Sequence, residues 1–303
     1  MQPSARGDAA APAGQGYVER PPVSALAGLV SSVWIQQVAP GADPYTHRNI
    51  PHGGVELVCP LGSVPRVVGP LTRPLVEVLP PGTTVVGARF RPGAAPSVLD
   101  LPASELLDLA VDTDELWGRS AVALGERVDS AASPADALAD LQRHVAGRLG
   151  AAPGPDPLVS EAVRQLMPWR TADVGSLTSR LSISERQLRR RCQAAIGLAP
   201  KALHRVLRFQ GLLALVQSAL AQGKEPTGDG LATLAADSGF ADQAHLTREC
   251  ARLTGVTPRT FLRQTAQACG CGHVHEVSFA PLLRYRDRPR DGRSVQDRSA
   301  PLP

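Results

Sequence analysis

Several things are missing from this chain of 303 residues, and each absence excludes something. No apolar run approaches the roughly 20 residues that a membrane-spanning helix needs, so no membrane partner is expected. The opening stretch from Met1 to Gly16 holds one early arginine, Arg6, but no apolar segment behind it. It reads as a flexible tail and not as a secretory signal. Cysteine is scarce and odd in number, with five and no secretory context, which points to a reducing cytoplasm and not to a disulfide framework. No Ser/His/Asp arrangement, phosphate loop or paired-carboxylate motif stands out, so the chain is not expected to be an enzyme or to carry a cofactor.

What is present divides by region. The length allows two domains, because single cores stop growing near roughly 250–300 residues. Residues 1–154 hold 11 Lys/Arg against 15 Asp/Glu, a net of −4. Residues 155–268 hold 15 against 9, a net of +6, and residues 269–303 hold 6 against 4, a net of +2. A basic segment joined to an acidic one is expected when one part meets phosphate and the other does not.

Composition then separates the regions further. From Tyr17 to about Pro96, short β-branched stretches such as Gly54–Val58, Pro65–Val68 and Thr83–Val86 are separated by Pro and Gly, which predicts the strands of a sandwich or barrel. Helices are expected over Ser104–Asp108, Asp114–Trp117 and Ser133–Leu149. Residues 17–149 thus form an expected sensor or dimerisation domain after the 1–16 tail. Five Pro or Gly breakers in residues 150–157 mark a linker. Residues 158–267 read as all helical. Residues 268–303 form a tail that contains Cys and His and then alternates Arg with Asp, as disordered segments do. The fold class expected is α+β, a mostly-β N-terminal domain with flanking helices and an all-α C-terminal domain.

The helical part holds one pattern twice. Val174, Leu177 and Thr178 recur 57 residues later as Leu231, Leu234 and Ala235. Leu188, Arg190, Cys192, Gly197, Pro200 and Leu203 recur 58 residues later as Leu246, Arg248, Cys250, Gly255, Pro258 and Phe261. The extra residue falls in the turn between the two helices of the unit, where an insertion leaves both helices intact. Each copy therefore reads as a helix-turn-helix unit. In the first, Ser182 makes the turn, Ile183 plugs the core and Ser184 caps the second helix. In the second, Gly239 turns and Phe240 plugs. Val206, Phe209, Leu213, Val216 and Leu220 lie on one face of a long joining helix. Gly211 inside that helix should cost about 1 kcal/mol relative to Ala, and nothing in the sequence accounts for it.

These residues resemble the DNA-binding domain of the AraC/XylS family of bacterial transcription regulators. The likeness rests on Ser184 to Arg190 and Gly197 to Pro200 in the first copy. In the second it rests on Leu231 to Ala235, Gly239 to Arg248 and Gly255 to Pro258. It departs at Cys192 and Cys250, where the family often has Phe, and in the long loop from Ala221 to Gly230. A looser likeness links Pro51–Val58 and Gly87–Ala94 to N-terminal domains attached to this unit in actinobacterial-type regulators. The resemblance implies a sequence-specific, cytoplasmic and nucleoid-associated regulator of transcription. Its partners would be double-stranded DNA and RNA polymerase, with a small-molecule effector or a homodimer acting through the N-terminal domain.

The implied DNA-binding residues are Ser184, Glu185, Arg186, Gln187, Arg189 and Arg190 in the first copy. In the second they are Asp242, Gln243, His245, Thr247 and Arg248. A charge run is by default a solvated helix face, but four Arg between Arg186 and Arg191 on an outward helix point to phosphate and base edges. Gln187, Gln243 and His245 can read bases or remain surface groups. Cys269, Cys271, His273 and His275 alternate as soft ligands, yet structural zinc sites use wider spacing, so no metal is expected. His47, His52 and Glu56 read as ordinary strand residues. Arg89 and Arg91 alternate, either holding a carboxylate or forming a strand-edge pair. Two other classes compete. A weakly specific DNA-binding protein would not discriminate among sites. An alkyl-transfer repair regulator would want a thiolate cluster where only Cys59 stands.

Overall fold

The computed structural model describes residues 14–150, 154–170, 174–224 and 229–268. Eight strands follow one another in the first half. They are β1 (Gln15–Arg20), β2 (Val30–Val38), β3 (Tyr45–Asn49), β4 (Glu56–Pro60), β5 (Arg66–Val68), β6 (Leu75–Leu79), β7 (Thr84–Phe90) and β8 (Ala110–Asp112). Six form one antiparallel sheet in the order β1-β2-β7-β4-β5-β8, and β3 pairs with β6 in a separate two-stranded ribbon. β1 begins at Gln15, so ordered structure reaches two residues into the segment expected as tail.

Alternation sorts the side chains of the large sheet onto two faces. Val33, Ile35, Leu57, Cys59, Val67, Val86, Ala88 and Phe90 are buried on one of them. Helices α1 (Pro96–Leu99), α2 (Thr113–Trp117), α3 (Arg119–Asp129) and α4 (Pro134–Gly147) cover that face, with Leu124, Val128, Leu138, Leu141 and Val145 completing the core. Ser133 caps α4 by accepting from the Asp136 N–H. The expected helix over Ser104–Asp108 is one 3₁₀ turn, Ala103–Leu106. It stops there because Asp108 turns left-handed and its N–H returns to the Pro70 carbonyl. The opposite face holds Trp34, Val58, Val68 and Val85 against Leu75 and Leu79 of the ribbon.

The second half is helical throughout its described residues. It comprises α5 (Pro157–Gln165), α6 (Val174–Leu181), α7 (Glu185–Ile196), α8 (Pro200–Ala221), α9 (Asp229–Asp237), α10 (Gln243–Thr254) and α11 (Pro258–Ala268). One continuous core joins them, from Val159 and Leu166 through Leu188, Leu203 and Phe209 to Leu246 and Leu253. Within the expected linker, Asp156 already caps α5 and Pro157 opens it. The misfit of Gly211 also finds its reason. A Cβ there would lie 2.5 Å from Pro168 Cγ and 3.2 Å from the Trp169 ring, so the loop after α5 packs directly on the α8 backbone.

Candidate nucleic-acid interface

The two copies fold alike down to single hydrogen bonds. In the first, Ser182 takes a left-handed conformation (φ +52°) and the Ile183 N–H donates to the Thr178 carbonyl at 3.2 Å. In the second, Gly239 does the same (φ +84°) and the Phe240 N–H donates to the Ala235 carbonyl at 3.0 Å. The helix that follows is capped by Ser184 in one copy and by Asp242 in the other. The caps are 58 residues apart and the turns 57, so the inserted residue is Ala241, between plug and cap. Both helices end on a left-handed glycine, Gly197 or Gly255, and a proline opens the next, Pro200 or Pro258.

This frame decides which expected residues point outward. In α7, Leu188 and Cys192 are fully buried, and Glu185, Arg186, Arg189 and Arg190 are exposed. Ser184 and Gln187 are exposed as well, but they form a reciprocal capping box. The Ser184 hydroxyl accepts from the Gln187 N–H at 3.2 Å, and Gln187 Oε1 accepts from the Ser184 N–H at 2.9 Å. Such caps contribute about 1 kcal/mol to a helix, and here the box also engages the Gln187 carbonyl. Arg191 is turned away from the other arginines, donating to the Asp156 carboxylate at 2.5 Å.

In α10, Leu246 and Cys250 are buried while Gln243, Thr247 and Arg248 are exposed. Asp242 accepts from the His245 N–H at 2.6 Å as the cap. His245 itself is half-buried, edge-on to the Phe240 ring at 5.3 Å, and its Nδ1 accepts from the Ala241 N–H. Thr247 donates to the Gln243 carbonyl. Glu249 faces inward, with Arg205 of α8 3.9 Å away. Arg208 of α8 stacks on Phe240 and donates to the Gly239 carbonyl at 3.3 Å, fixing the second turn to the long helix.

One family match agrees with the helix-turn-helix geometry. A family described as a helix-turn-helix domain matches residues 177–264. Residues 177–264 thus belong to a helix-turn-helix domain. A family described as a domain of unknown function matches residues 18–112. No curated protein sequence matches the chain. Among solved structures, ToxT from Vibrio cholerae O395 is 12% identical, with a TM-score of 0.40 over 73% of this chain and 93% of that one. A second ToxT structure, from the P21 crystal form, is 11% identical, with a TM-score of 0.42 over 82% and 97%.

The helix-turn-helix domain is gripped by the N-terminal half at several points. Arg48 of β3 donates to the Thr254 carbonyl, the last residue of α10, at 2.7 Å. Buried Gln210 of α8 donates to the Pro51 carbonyl at 2.8 Å. Gly197, at the end of α7, presses so closely on Pro70 that a Cβ would lie 2.6 Å from the ring. A cleft of 270 Å³ lies between the halves, lined by His52, Arg89 and Arg91 on one side and by Ser160, Met167 and Gln210 on the other.

One wall of that cleft is a polar cluster that no local sequence pattern signals. Arg89 Nε donates to Glu56 at 2.6 Å and Nη1 to Glu19 at 3.3 Å, so Arg89 holds two carboxylates of its own chain. Asn49 donates to Glu56 at 2.6 Å, and Tyr17 donates to Glu19 at 2.7 Å. Burial works to raise the Glu56 pKa, but the Arg89 charge outweighs it, with His52 adding to the effect, and holds it at about 2. Burial pushes His52, 3.7 Å from Glu56, down to about 4. Glu56 therefore belongs to a buried ion cluster with Arg89 and Glu19, and His52 packs beside it as a neutral ring. Arg91 donates to the Ala27 carbonyl instead of joining that cluster. Among the described residues no group of three or more His, Cys, Asp or Glu is placed to hold a metal. Cys269, Cys271, His273 and His275 lie outside the described residues. No described helix is long and apolar enough to cross a membrane.

Proposed function

We propose that this DNA-binding regulator recognises a specific site by placing α7 and α10 in successive major grooves of one duplex face. The observation that carries the reading is the duplicated, capped helix. Two helices 58 residues apart share the same turn, plug and end, and each presents exposed polar residues beyond its cap. A rigid joining helix such as α8 suits two readers spaced by a helical turn of DNA, roughly 34 Å. Arg186, Arg189, Arg190 and Arg248 serve phosphate or guanine, and Gln243 and Thr247 serve base edges. Ser184, Gln187 and Asp242 act chiefly by fixing the helix starts, and His245 acts through its packing on Phe240.

The N-terminal half modulates this engagement. Its contacts through Arg48, Pro51 and Pro70 reach α10, α8 and α7, so a small effector in the inter-domain cleft or a homodimer contact would alter how the two readers sit. RNA polymerase is the partner through which occupancy becomes regulation. An alkyl-transfer role is disfavoured by Cys59, which is wholly buried and whose thiol is pushed up by that burial, the reverse of an activated nucleophile. Selection of bound DNA from a random pool tests the reading. Two short boxes about one helical turn apart are expected. No enrichment, with binding that falls steeply as salt rises, would replace it with a weakly specific DNA-binding protein.

A further inference from the structure

The two helix-turn-helix units end their second helices alike, on Gly197 and Gly255, both left-handed and 58 residues apart. One short segment of the N-terminal half, residues 69–74 between β5 and β6, touches both. At Gly197 a Cβ would lie 2.6 Å from Pro70 Cγ and 2.9 Å from the Ala103 carbonyl oxygen. At Gly255 it would lie 3.4 Å from Pro74 Cγ and 3.4 Å from Arg48 Nη1. Arg48 also donates to the Thr254 carbonyl at 2.7 Å, where a cation suits the negative end of α10. It pairs in register with Val76 of β6, so Arg48 and Pro74 belong to one ribbon. The segment itself is tied down along its length. The Gly69 N–H donates to the Leu109 carbonyl, and Leu71 is buried in one cluster with Trp34 and Val85. Thr72 donates to the Asp108 carboxylate from its N–H at 2.7 Å and from its hydroxyl at 2.5 Å. The Asp108 N–H returns to the Pro70 carbonyl at 2.9 Å. Pro70 and Pro74 add fixed backbone angles.

We infer that residues 69–74, together with Arg48, set the spacing of the two DNA boxes by holding α7 and α10 in one fixed relation. The inference rests on the two-box reading proposed above. Within the helical half, α8 carries the relation between the units, and any bend along its 22 residues is magnified at its ends. A tie between the far ends of α7 and α10 braces that relation. The tie also sits where it leaves access to DNA. Helices of this kind meet bases with the residues near their start. Arg186, Arg189 and Arg190 lie in the first two turns after the Ser184 cap, and Gln243, Thr247 and Arg248 in those after the Asp242 cap, all of them exposed. Gly197 and Gly255 close the other ends of helices of 12 residues, roughly 18 Å from the caps. The N-terminal half therefore grips both helices from behind. A shift of the segment moves α7 against α10, which makes Pro70, Pro74 and Arg48 positioning residues and not base readers.

The test uses the full chain, its Arg48→Ala, Pro74→Ala double variant, and duplexes carrying the selected boxes with the spacer lengthened or shortened by one or two base pairs. The unsubstituted chain is expected to lose affinity steeply when one base pair is inserted. The double variant should regain roughly tenfold of that loss, within the usual range of coupling between two sites. Arg48→Lys keeps a donor for the Thr254 carbonyl and should keep the narrow profile. Thr72→Val loosens the segment from Asp108 without touching the helical half, and it should broaden the profile as the double variant does. Identical spacing profiles in the unsubstituted chain, the double variant and Thr72→Val overturn the inference. So does an equal loss of affinity at every spacing, which gives these residues a part in folding alone. An unsubstituted chain that binds equally well at every spacing overturns the two-box reading itself, and the inference with it.

Discussion

The Trp34 indole lies directly over Gly87, its cross-strand partner in β7, so closely that a Cβ at position 87 would sit 2.2 Å from the ring. Sheet register puts the two opposite each other, and only a residue without a side chain leaves room for the indole, which tilts 32° from the Tyr17 ring at 5.9 Å. Gly87→Ala is therefore expected to destabilise the N-terminal half by about 1–3 kcal/mol, as overpacking does. Chemical denaturation followed by tryptophan fluorescence measures it. Trp34→Leu in the same chain should recover part of the loss, because the clash is with the ring.

A second glycine sets two effects against each other. In an open helix Gly211→Ala would stabilise by about 1 kcal/mol. Here the new methyl group meets Pro168, whose ring cannot rotate away, and the Trp169 ring. The substitution should lower stability by on the order of 1–2 kcal/mol net. A rise in the unfolding midpoint would show that the loop yields.

Arg89 bridges Glu19 and Glu56, whose side chains are 1% and 2% exposed. Arg89→Met takes that cation away from two buried carboxylates, and a loss of about 3–5 kcal/mol is expected near neutral pH. Stability of the unsubstituted chain should also fall on acidification, and the sign follows from which state takes up protons. His52 has a folded pKa of about 4 against 6.5 unfolded, so as pH falls through that window the unfolded chain binds a proton the folded one refuses. His144, lowered to about 4 by burial and by Arg127 and Arg148, adds in the same direction. Below the ordinary value of 4.5, protonation of unfolded Glu56 continues the decline towards its folded value of about 2. His52→Asn should flatten the slope between pH 6.5 and 4, as read by denaturant unfolding across pH.

Neighbouring arginines on α7 should behave differently. Arg190 is exposed, and Arg190→Ala should weaken DNA binding and, if it meets a phosphate, reduce the salt slope by about 0.9. Arg191 pairs with Asp156, the cap of α5. Arg191→Ala should leave the salt slope unchanged and lower stability by up to about 1 kcal/mol. Titrations at several salt concentrations, alongside unfolding curves, separate the two.

How much of this was legible depended on how local the signal is. The duplicated turn, plug and cap are written in consecutive residues, so Ser184, Ile183, Gly239 and Phe240 could be placed from sequence with the right roles. The Pro- and Gly-bounded strands were legible for the same reason. By contrast, Glu56 meets Arg89 only because β4 and β7 pair in one register, and Glu19 arrives from β1, 70 residues from Arg89. Helix α3 was not anticipated either. Ala121, Leu124 and Val128 have helical spacing, but Gly118 before them and Gly125 among them break the pattern. The cause of Gly211 lies in Pro168, 43 positions away in the chain and on another element. The grip of one segment on Gly197 and Gly255 was equally hidden, since matching residues at matching spacing give no sign of what packs over them.

In the proposed function, two helices of one chain read two boxes of DNA. Titration of a selected two-box site at fixed salt, with Arg190→Ala, Arg248→Ala and the box sequences each scrambled in turn, tests it most directly. Binding at least about 10³-fold tighter than to scrambled DNA is expected, with each substitution removing the preference for one box and sparing the other. Equal affinity for the selected and scrambled duplexes, or both substitutions acting on the same box, would contradict it.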